Sequence, residues 1–423
     1  MRYTVLILIL IFNTISYSQF KNVKINTLEN QPNEVSIAIN PLNPQNLIAG
    51  ANINNYYYSF DGGITWTNKT ISSSGYGVWG DPCVIFDIKG NSYFLHLSRP
   101  PNSTWVWIDR IVCQKSEDGG MSWSEPGTYM GLNNPKHQDK EWACFDPLTN
   151  RIYVTWTQFD LYGSRHPLDS SNILFSSSSD FGLSWSDAIR INQIAGTCID
   201  SANTVEGAVP CAGKDGQIYV SWSGPVGIVF DRSYDGGKTW LGNDIPVSDQ
   251  VGGWDYDIEG VYRCNGLPVT ACDISSGLYA GTIYINFSDH RNGRKDTDIF
   301  LVKSTDGGNT WSKVKRVNDD AAGSEQFMSW MSVDPLTGAV NILYYDRRSH
   351  YDFSTDVYLS RSTDGGESFV NMKVSEEPFQ TIRNVFMGDY VGVASHNDFV
   401  ACSWTRIDGG KTNIIYCGID FKK

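Results

Sequence analysis

The chain is poor in the features that mark nucleic-acid-binding and metal-binding proteins. Its 423 residues carry 33 Lys and Arg against 46 Asp and Glu, a formal net charge of −13. This shortage of basic residues disfavours nucleic acid as a partner, because phosphates attract a basic surface. The chain has only 6 His and lacks C-x-x-C and H-x-x-x-H spacings, so we expect neither a metal ion nor a cofactor.

Long apolar runs are absent beyond the first dozen residues. The unbroken apolar run Val5 to Phe12 follows a short positive start at Arg2. This arrangement predicts a signal peptide over residues 1–18, cleaved after Ser18, and the run is too short for a membrane-spanning helix. We therefore expect residues 19–423 to be a single domain, secreted or periplasmic, monomeric and not inserted in a membrane.

Cysteine is scarce, and its 9 residues are an odd number. In an oxidising compartment at least one thiol is then free or pairs outside the chain. The spacing leaves three candidate pairs open: Cys264 with Cys272, Cys198 with Cys211, and Cys402 with Cys417.

Aromatic residues and glycine are abundant, with 13% aromatics, 14 Trp and 40 Gly, and long helical periodicity is missing. This composition predicts an all-β protein. The segment Ser304-Thr-Asp306-Gly-Gly308-Asn-Thr310-Trp311 reads as S-x-D-x-G-x-[ST]-W. Its Asp can accept the N–H groups of its own turn, and its glycines supply positive φ, so we interpret it as a self-contained β-turn.

Five further copies of this turn recur along the chain. The six aspartates are Asp61, Asp118, Asp180, Asp235, Asp306 and Asp364, separated by 55 to 71 residues. A repeat of this length, with room for four short strands, is typical of a β-propeller blade.

A partial seventh unit follows the last copy. Three strand-like segments cover Tyr390–Ser395, Phe399–Thr405 and Asn413–Ile419, and the segment Phe20 to Asn26 is similar to the fourth strands. An N-terminal strand that completes this unit removes a free sheet edge. We therefore predict a seven-bladed β-propeller, with a six-bladed one as the alternative.

The repeats resemble the Asp-box, or bacterial neuraminidase (BNR), repeats of sialidases and related propellers over essentially the whole mature chain. Asp139-Lys-Glu-Trp142, Tyr344-Tyr-Asp-Arg-Arg348 and Gly388-Asp-Tyr390 resemble an uncharacterised secreted group of sialidase-like proteins. The resemblance implies exo-acting, retaining hydrolysis of a glycan without a metal. It also implies an arginine clamp for a sugar carboxylate, a Tyr nucleophile activated by Glu, and an Asp acid/base. The arginine-containing R-I-P segment of sialidases is absent, and sialidase propellers have six blades.

Candidate site residues come from the loops that a propeller directs to its central funnel, opposite the Asp-box turns. We predict Tyr390 as nucleophile, with Glu325 and Asp389 as catalytic carboxylates. The predicted substrate-binding residues are Arg99, Arg291, Arg347, Arg348, Trp79 and Trp254. The structural alternative is that each Arg pairs with the Asp beside it, that Tyr390 caps a strand and that the Trp side chains pack.

The leading functional hypothesis is a sialidase-like glycoside hydrolase that acts on an anionic glycan. A carbohydrate- or protein-binding propeller without catalysis is the second. A polysaccharide lyase is the third, for which His137, His290 and His350 are candidate bases.

Overall fold

The computed structural model describes residues 20–98 and 108–423, and the predicted signal peptide lies outside these ranges. The described residues form β-strands, turns and loops without an α-helix. Seven sheets of antiparallel strands follow one another along the chain. The prediction of an all-β, seven-bladed propeller is confirmed. No helix of the described residues is long and apolar enough to cross a membrane.

Each blade contains four strands, and in blades 1 to 6 these follow one another in sequence order from the first strand outward. Blade 1 comprises Ser36–Ile39, Leu47–Ala51, Asn55–Ser59 and Thr67–Thr70. Blade 2 comprises Cys83–Phe86, Ser92–Leu97, Ile111–Ser116 and Thr128–Met130. Blade 3 comprises His137–Asp146, Arg151–Phe159, Ser171–Ser178 and Ile189–Arg190. Blade 4 comprises Glu206–Ala212, Ile218–Gly224, Gly227–Ser233 and Ile245–Ser248.

The remaining strands complete the ring and add two small elements. Blade 5 comprises Val269–Cys272, Ile283–Asp289, Asp298–Ser304 and Lys315–Arg316. Blade 6 comprises Gln326–Val333, Val340–Asp346, Ser354–Ser362 and Val370–Lys373, and Phe379–Gln380 pairs with its third strand. Blade 7 comprises Gly392–His396, Phe399–Asp408, Lys411–Asp420 and the N-terminal Val23–Lys24. A hairpin of Asp255–Tyr256 and Cys264–Asn265 lies in the connection from blade 4 to blade 5, and its buried side chains pack against those of blades 6 and 7.

The ring closes through the N-terminal strand, as predicted. Val23 pairs with Tyr416 and Lys24 with Ile415 in an antiparallel register, and the Ile25 amide donates to the Ile414 carbonyl at 2.9 Å. This pairing covers the outer edge of the last blade, which would otherwise expose unpaired backbone groups.

The Asp-box turns connect the third and fourth strands of blades 1 to 6. The hydroxyl of Ser304 donates to Asp306 Oδ1 at 2.8 Å, and Thr310 donates its amide to Oδ1 at 2.9 Å and its hydroxyl to Oδ2 at 2.6 Å. The bonds from Thr310, followed by that from Ser304, lower the pKa of Asp306 to about 2. The same set of bonds recurs at Asp61, Asp118, Asp180, Asp235 and Asp364. The Ser, Asp and Thr side chains of the box therefore bond within their own turn.

An aromatic plug, formed by Trp142, Trp330 and Tyr390, occupies the propeller axis. Trp142 comes from the first strand of blade 3, Trp330 from that of blade 6, and Tyr390 directly precedes that of blade 7. The ring centroids lie 4.1 Å apart for Trp142 and Trp330, and 4.9 Å apart for Trp142 and Tyr390. Because blade 3 is not a neighbour of blades 6 and 7, these contacts span the axis and block it.

All nine cysteines are free thiols. The three pairs considered from the sequence are thus not formed. Cys402 and Cys417 are direct cross-strand partners in blade 7, and both are fully buried. Cys211 and Cys272, which were candidates for pairing with Cys198 and Cys264, lie on the first strands of the adjacent blades 4 and 5.

Candidate active site

A cavity of about 360 Å³ opens at the end of the axis where the chain enters the first strands. Its walls carry six charged side chains, three aromatic ones and several amides. The charged residues are Glu34, Asp81, Asp139, Lys140, Asp200 and Arg263, and the aromatic residues are Trp79, Tyr162 and Phe386. Since Lys140 and Asp389 come just before plug residues in the chain, the aromatic plug lies beneath this cavity.

Unusual backbone conformations present the charged side chains to the axis. Glu34, Asp81 and Lys140 have φ values of 54°, 51° and 50°, in the left-handed region that L-residues seldom occupy. In blade 3 the pairing register shifts between Asp139 and Trp142, which marks a β-bulge. Bulges re-aim side chains and are frequent next to active sites.

The first side of the cavity is held by an ion cluster around Asp389. Lys140 Nζ lies 2.6 Å from Asp389 Oδ2, and Arg263 Nε donates to Oδ1 at 2.8 Å. Asn265 donates its side-chain amide to the Asp389 carbonyl at 2.9 Å. Burial raises the pKa of Asp389, but Lys140 and Arg263 outweigh it and lower that pKa to about 2. Asp389 is therefore ionised and neutralises one of the two cations of the cavity.

Glu34 joins this cluster to blade 1. Its carboxylate accepts the Asp389 amide at 3.1 Å and also the side-chain amide of Asn52. The Asn52 side-chain oxygen in turn accepts the Asp81 amide at 2.8 Å. Burial, followed by the charges of Asp81 and Asp389, raises the pKa of Glu34 well above its usual range.

The second side of the cavity is acidic and has no basic partner. Burial and then the nearby charge of Asp81 raise the pKa of Asp139 to about 8, so Asp139 is mostly protonated at neutral pH. Asp200 accepts a hydrogen bond from the Tyr162 hydroxyl at 2.6 Å. Within residues 20–98 and 108–423, no Lys, Arg or His forms an ion pair with Asp81, Asp139 or Asp200.

Two further carboxyl groups lie behind this acidic side. Glu141 and Glu206, from the first strands of blades 3 and 4, are 1% and 0% exposed. Neither oxygen of Glu141 has a hydrogen-bond partner among the described residues, whereas the Glu206 carboxyl group faces and hydrogen-bonds that of Asp200. Burial is the largest cause of their raised pKa values, followed by the charge of Asp81 for Glu141 and of Asp200 for Glu206.

The three predicted catalytic residues have separate partners. Asp389 belongs to the ion cluster, Glu325 pairs with Arg347 at 2.6 Å, and the Tyr390 hydroxyl donates to the Pro82 carbonyl at 3.5 Å. Across the described chain, no hydrogen bond or ion pair joins Glu325 to Tyr390. Burial, then the charges of Asp81, Glu34 and Glu141, raises the pKa of Tyr390 well above its usual range. The predicted pairing of Tyr390 with Glu325 is thus absent, and the predicted catalytic roles stay predictions.

The described arginines of the predicted clamp form internal ion pairs, and none of them lines the cavity. Arg291 pairs with Asp289 at 2.6 Å, and Arg348 pairs with Asp346 at 2.8 Å. Arg347 is 5% exposed and also donates to the Glu259 carbonyl at 2.8 Å. Arg99 lies outside the described residues.

The two predicted tryptophans differ in position. Trp79 lines the cavity, as expected for a residue that contacts substrate. Trp254 is 5% exposed, and its indole N–H donates to the Thr204 carbonyl at 3.0 Å, so it packs against the segment before the first strand of blade 4.

Sequence reasoning did not select Glu34, Asp139, Lys140, Asp200 or Arg263 as site residues. A usable signal was present, because Asn33-Glu34-Val35, Gly80-Asp81-Pro82 and Gly388-Asp389-Tyr390 all place a carboxylate just before a first strand. Arg263 gave no such signal, since it reaches the cavity from the long connection between blades 4 and 5. No group of three or more His, Cys, Asp or Glu among the described residues is arranged to hold a metal ion.

The family model described as BNR/Asp-box repeat matches residues 57–68, the first of the six turns. This chain is a seven-bladed β-propeller that carries Asp-box turns. None of the curated proteins matches its sequence.

Several solved structures share the fold of this Asp-box propeller. The NanB sialidase of Streptococcus pneumoniae matches with a TM-score of 0.50 and 10% identity, over 89% of this chain and 84% of that one. The α-L-arabinanase of Penicillium chrysogenum, complexed with arabinobiose, matches with a TM-score of 0.51 and 12% identity, over 95% and 98%. The α-L-arabinofuranosidase Arb93A of Fusarium graminearum matches with a TM-score of 0.50 and 12% identity, over 96% and 98%. At these identities the likeness shows the fold alone.

Proposed function

We propose that this propeller is a secreted glycoside hydrolase that removes a terminal sugar unit in the central cavity. The observation that carries the proposal is the pair Asp139 and Asp81, two carboxyl groups from adjacent blades on one wall. Asp139 is held protonated at neutral pH, and the charge of Asp81 contributes to this. Glycosidic cleavage requires two carboxyl groups beside the bond that breaks, one of which carries the proton that it donates.

The proposed roles follow from these states. Asp139 donates its proton to the glycosidic oxygen, so that the leaving sugar departs as an alcohol. Asp81 supplies the second carboxylate and stabilises the positive charge that develops on the remaining sugar ring. A water molecule then bonds to the anomeric carbon and returns a proton to Asp139, so that the sugar is released with a free hydroxyl group. Trp79 and Phe386 offer apolar faces to the sugar ring, and the amides of Asn30, Gln31 and Asn52 offer hydrogen bonds to its hydroxyls.

Exo action is proposed because the aromatic plug blocks the axis below the cavity. The volume of about 360 Å³ lies at the low end of ligand pockets, which span roughly 300–1,000 Å³. A small cavity whose inner end is closed binds the end of a glycan chain more readily than its middle. The three structural neighbours described above are named as glycosidases, and their shared fold supports a proposal of this reaction class.

We do not propose the anionic glycan expected from the sequence as the substrate. A sugar carboxylate would meet four acidic side chains on the walls, while Lys140 and Arg263 are already engaged by Asp389. Secretion rests on the predicted signal peptide, and N-terminal sequencing of the exported protein is expected to begin at Gln19.

The test is a hydrolysis screen of the purified protein against a panel of aryl glycosides and oligosaccharides. Asp139→Asn is expected to lower kcat/KM by about 10²–10⁴-fold on the best substrate, because the general acid is lost. Asp215→Asn is the matched control, since Asp215 is exposed and far from the cavity, and it is expected to leave turnover unchanged. Full activity of Asp139→Asn refutes the assignment. Unsaturated products identify a lyase, and binding without turnover identifies a non-catalytic propeller.

A further inference from the structure

A second cavity, the rim groove, lies at the outer edge of the ring between blades 2 and 3 and has a volume of about 870 Å³. The sheet of blade 3 forms its floor, and residues 129–133, at the end of blade 2, form one wall. It runs from Trp185, the last residue of an Asp box, to Asp160, which directly follows the second strand of blade 3. No described residue lines both this groove and the central cavity. Its volume lies within the range of ligand pockets, roughly 300–1,000 Å³.

The side chain of Asn172 presents an unpaired oxygen in the rim groove. Asp160 pairs with Lys136 at 2.7 Å and accepts the proton of the Ser170 hydroxyl at 2.9 Å. The Ser170 oxygen in turn accepts the side-chain N–H of Asn172 at 3.1 Å. Because a carboxylate can only accept, these bonds fix which end of the Asn172 amide is the nitrogen. Asn172 is 7% exposed, and its Oδ1 has no hydrogen-bond partner among the described residues.

Gln158 is the direct cross-strand partner of Asn172 and also lines the groove. The indole N–H of Trp156, which can only donate, bonds to Oε1 of Gln138 at 2.7 Å, and the Gln138 amide donates to Oε1 of Gln158 at 3.4 Å. Asn133 donates to the same Gln158 oxygen at 3.0 Å. These bonds engage the oxygen of Gln158 and leave its NH₂ group as a donor. A donor and an acceptor therefore lie side by side, and the protein fixes the orientation of both.

We propose that the rim groove is a second, non-catalytic site that binds a neutral oligosaccharide. A sugar hydroxyl both donates and accepts, so that one hydroxyl can accept from Gln158 and donate to Asn172. A buried amide oxygen without a partner is costly, and a ligand hydroxyl removes that cost. Trp185 adds an apolar ring, whose position is fixed by the bond from its N–H to the Thr128 hydroxyl at 2.9 Å. This site does not depend on the reaction proposed for the central cavity.

The charges of the groove are balanced, which favours a neutral ligand. The charged residues of its lining are Lys136, Asp160, Asp187 and Arg190. Lys136 and Asp160 pair with each other, and Arg190 donates to two backbone carbonyls at 2.8 and 2.9 Å. A sulfate or a sugar carboxylate would compete with these partners for both cations. Cleavage of a glycosidic bond uses two carboxyl groups, whereas Asp160 is held by Lys136, so we expect the groove to bind a glycan without cutting it.

The test begins with an array of neutral, sulfated and uronate oligosaccharides that is probed with the full chain. At least one neutral glycan is expected to bind, and its binding should change little as NaCl is raised, because no ion pair is involved. A diazirine derivative of that glycan is then cross-linked to the protein, and the adduct is located by trypsin digestion and mass spectrometry. The tryptic peptide of residues 166–190 contains Asn172 and Trp185 and no lining residue of the central cavity. This peptide is expected to carry the adduct, and an excess of the untagged glycan should prevent its formation.

A variant then locates the contact. Asn172→Leu keeps the approximate size of the side chain and removes its amide group. At a glycan concentration well below saturation, this variant is expected to reduce the adduct on peptide 166–190 about tenfold or more, because the sugar hydroxyl loses its acceptor. Asn286→Leu is the matched control: Asn286 is also buried and its Oδ1 has no partner among the described residues, but it lines neither cavity. The control is expected to keep the yield of the wild-type protein.

Thermal unfolding of each variant verifies that it is folded, and the cross-linking of the wild-type protein stands without any variant. The inference is overturned if no neutral glycan binds, if sulfated or uronate glycans bind more tightly, or if the adducts are confined to other peptides. An equal loss of adduct in Asn172→Leu and Asn286→Leu also overturns it. Hydrolysis without an adduct on peptide 166–190 overturns this inference alone. An adduct on that peptide without hydrolysis of any glycoside overturns the proposed hydrolase and leaves the rim groove as a binding site.

Discussion

Replacing Asp389 by Asn tests whether the ion cluster holds the centre of the ring together. The substitution keeps the shape of the side chain but leaves Lys140 and Arg263 without their shared carboxylate. The Asp389 and Lys140 side chains are 3% and 11% exposed, whereas that of Arg263 is 41% exposed. The loss of the buried pair with Lys140 therefore dominates, and water screens the contribution of Arg263.

The expected loss in the free energy of unfolding is about 3 kcal/mol at neutral pH, since breaking a buried pair costs about 3–5 kcal/mol. The pKa of Asp389 gives a second value for this loss in the free energy of unfolding. Its fall from 3.8 to about 2 corresponds to roughly 2–3 kcal/mol. A carboxyl group whose pKa is lower in the folded than in the unfolded chain stabilises the fold at pH values above its unfolded pKa. That contribution is lost as the pH falls from about 4 to about 2.

Urea denaturation followed by tryptophan fluorescence measures this difference at neutral pH and again near pH 3. The difference in the free energy of unfolding between the wild-type protein and Asp389→Asn is expected to be smaller at the lower pH. Glu29→Gln removes an ion pair with Lys411 whose side chains are 80% and 60% exposed, and this control should cost less than about 0.5 kcal/mol. A cost below about 1 kcal/mol for Asp389→Asn, or a gap that does not depend on pH, refutes the reasoning.

Three other predictions concern the plug, the ring closure and the reaction. Trp142→Ala is expected to lower the free energy of unfolding by about 3–5 kcal/mol, measured in urea, because it removes the centre of the plug. Gly63→Ala should lower the melting temperature more than the control Gly409→Ala. Both glycines have positive φ, but a Cβ at Gly63 would clash with the Tyr416 ring, whereas a Cβ at Gly409 would point into open space. On the best substrate, kcat/KM should fall as the pH rises above about 8, because Asp139 then loses the proton that it donates. A rate that is flat to about pH 10 would exclude Asp139 as the general acid.

The architecture could be predicted because its signals are local. Each Asp box contains all partners of its own turn, so a single segment such as Ser304 to Trp311 predicts its structure without the rest of the chain. The spacing of the boxes then predicts the number of blades. The N-terminal strand was predictable from its likeness to other fourth strands, and its pairing with Tyr416 confirms this.

The partners of the site residues could not be predicted in the same way. Tyr390 and Glu325 were paired because they precede first strands of adjacent blades, yet Tyr390 contacts Trp142 from the far side of the ring. Glu325 is bound by Arg347, which directly follows the second strand of the same blade. Contacts across the axis depend on how seven blades converge, and no spacing along the chain records that convergence.

The charged residues of the cavity occupy backbone positions that glycine adopts more easily. Glu34, Asp81, Lys140 and Asp200 have φ values between 50° and 54°, where an L-residue is disfavoured by roughly 1–2 kcal/mol. Glycine would remove this backbone cost at each position, but at Lys140 it would also remove the ion pair with Asp389. In other seven-bladed Asp-box proteins, the residue types at these four positions become a diagnostic: charged side chains indicate a retained site, and glycines indicate a propeller that has kept its architecture and lost its chemistry.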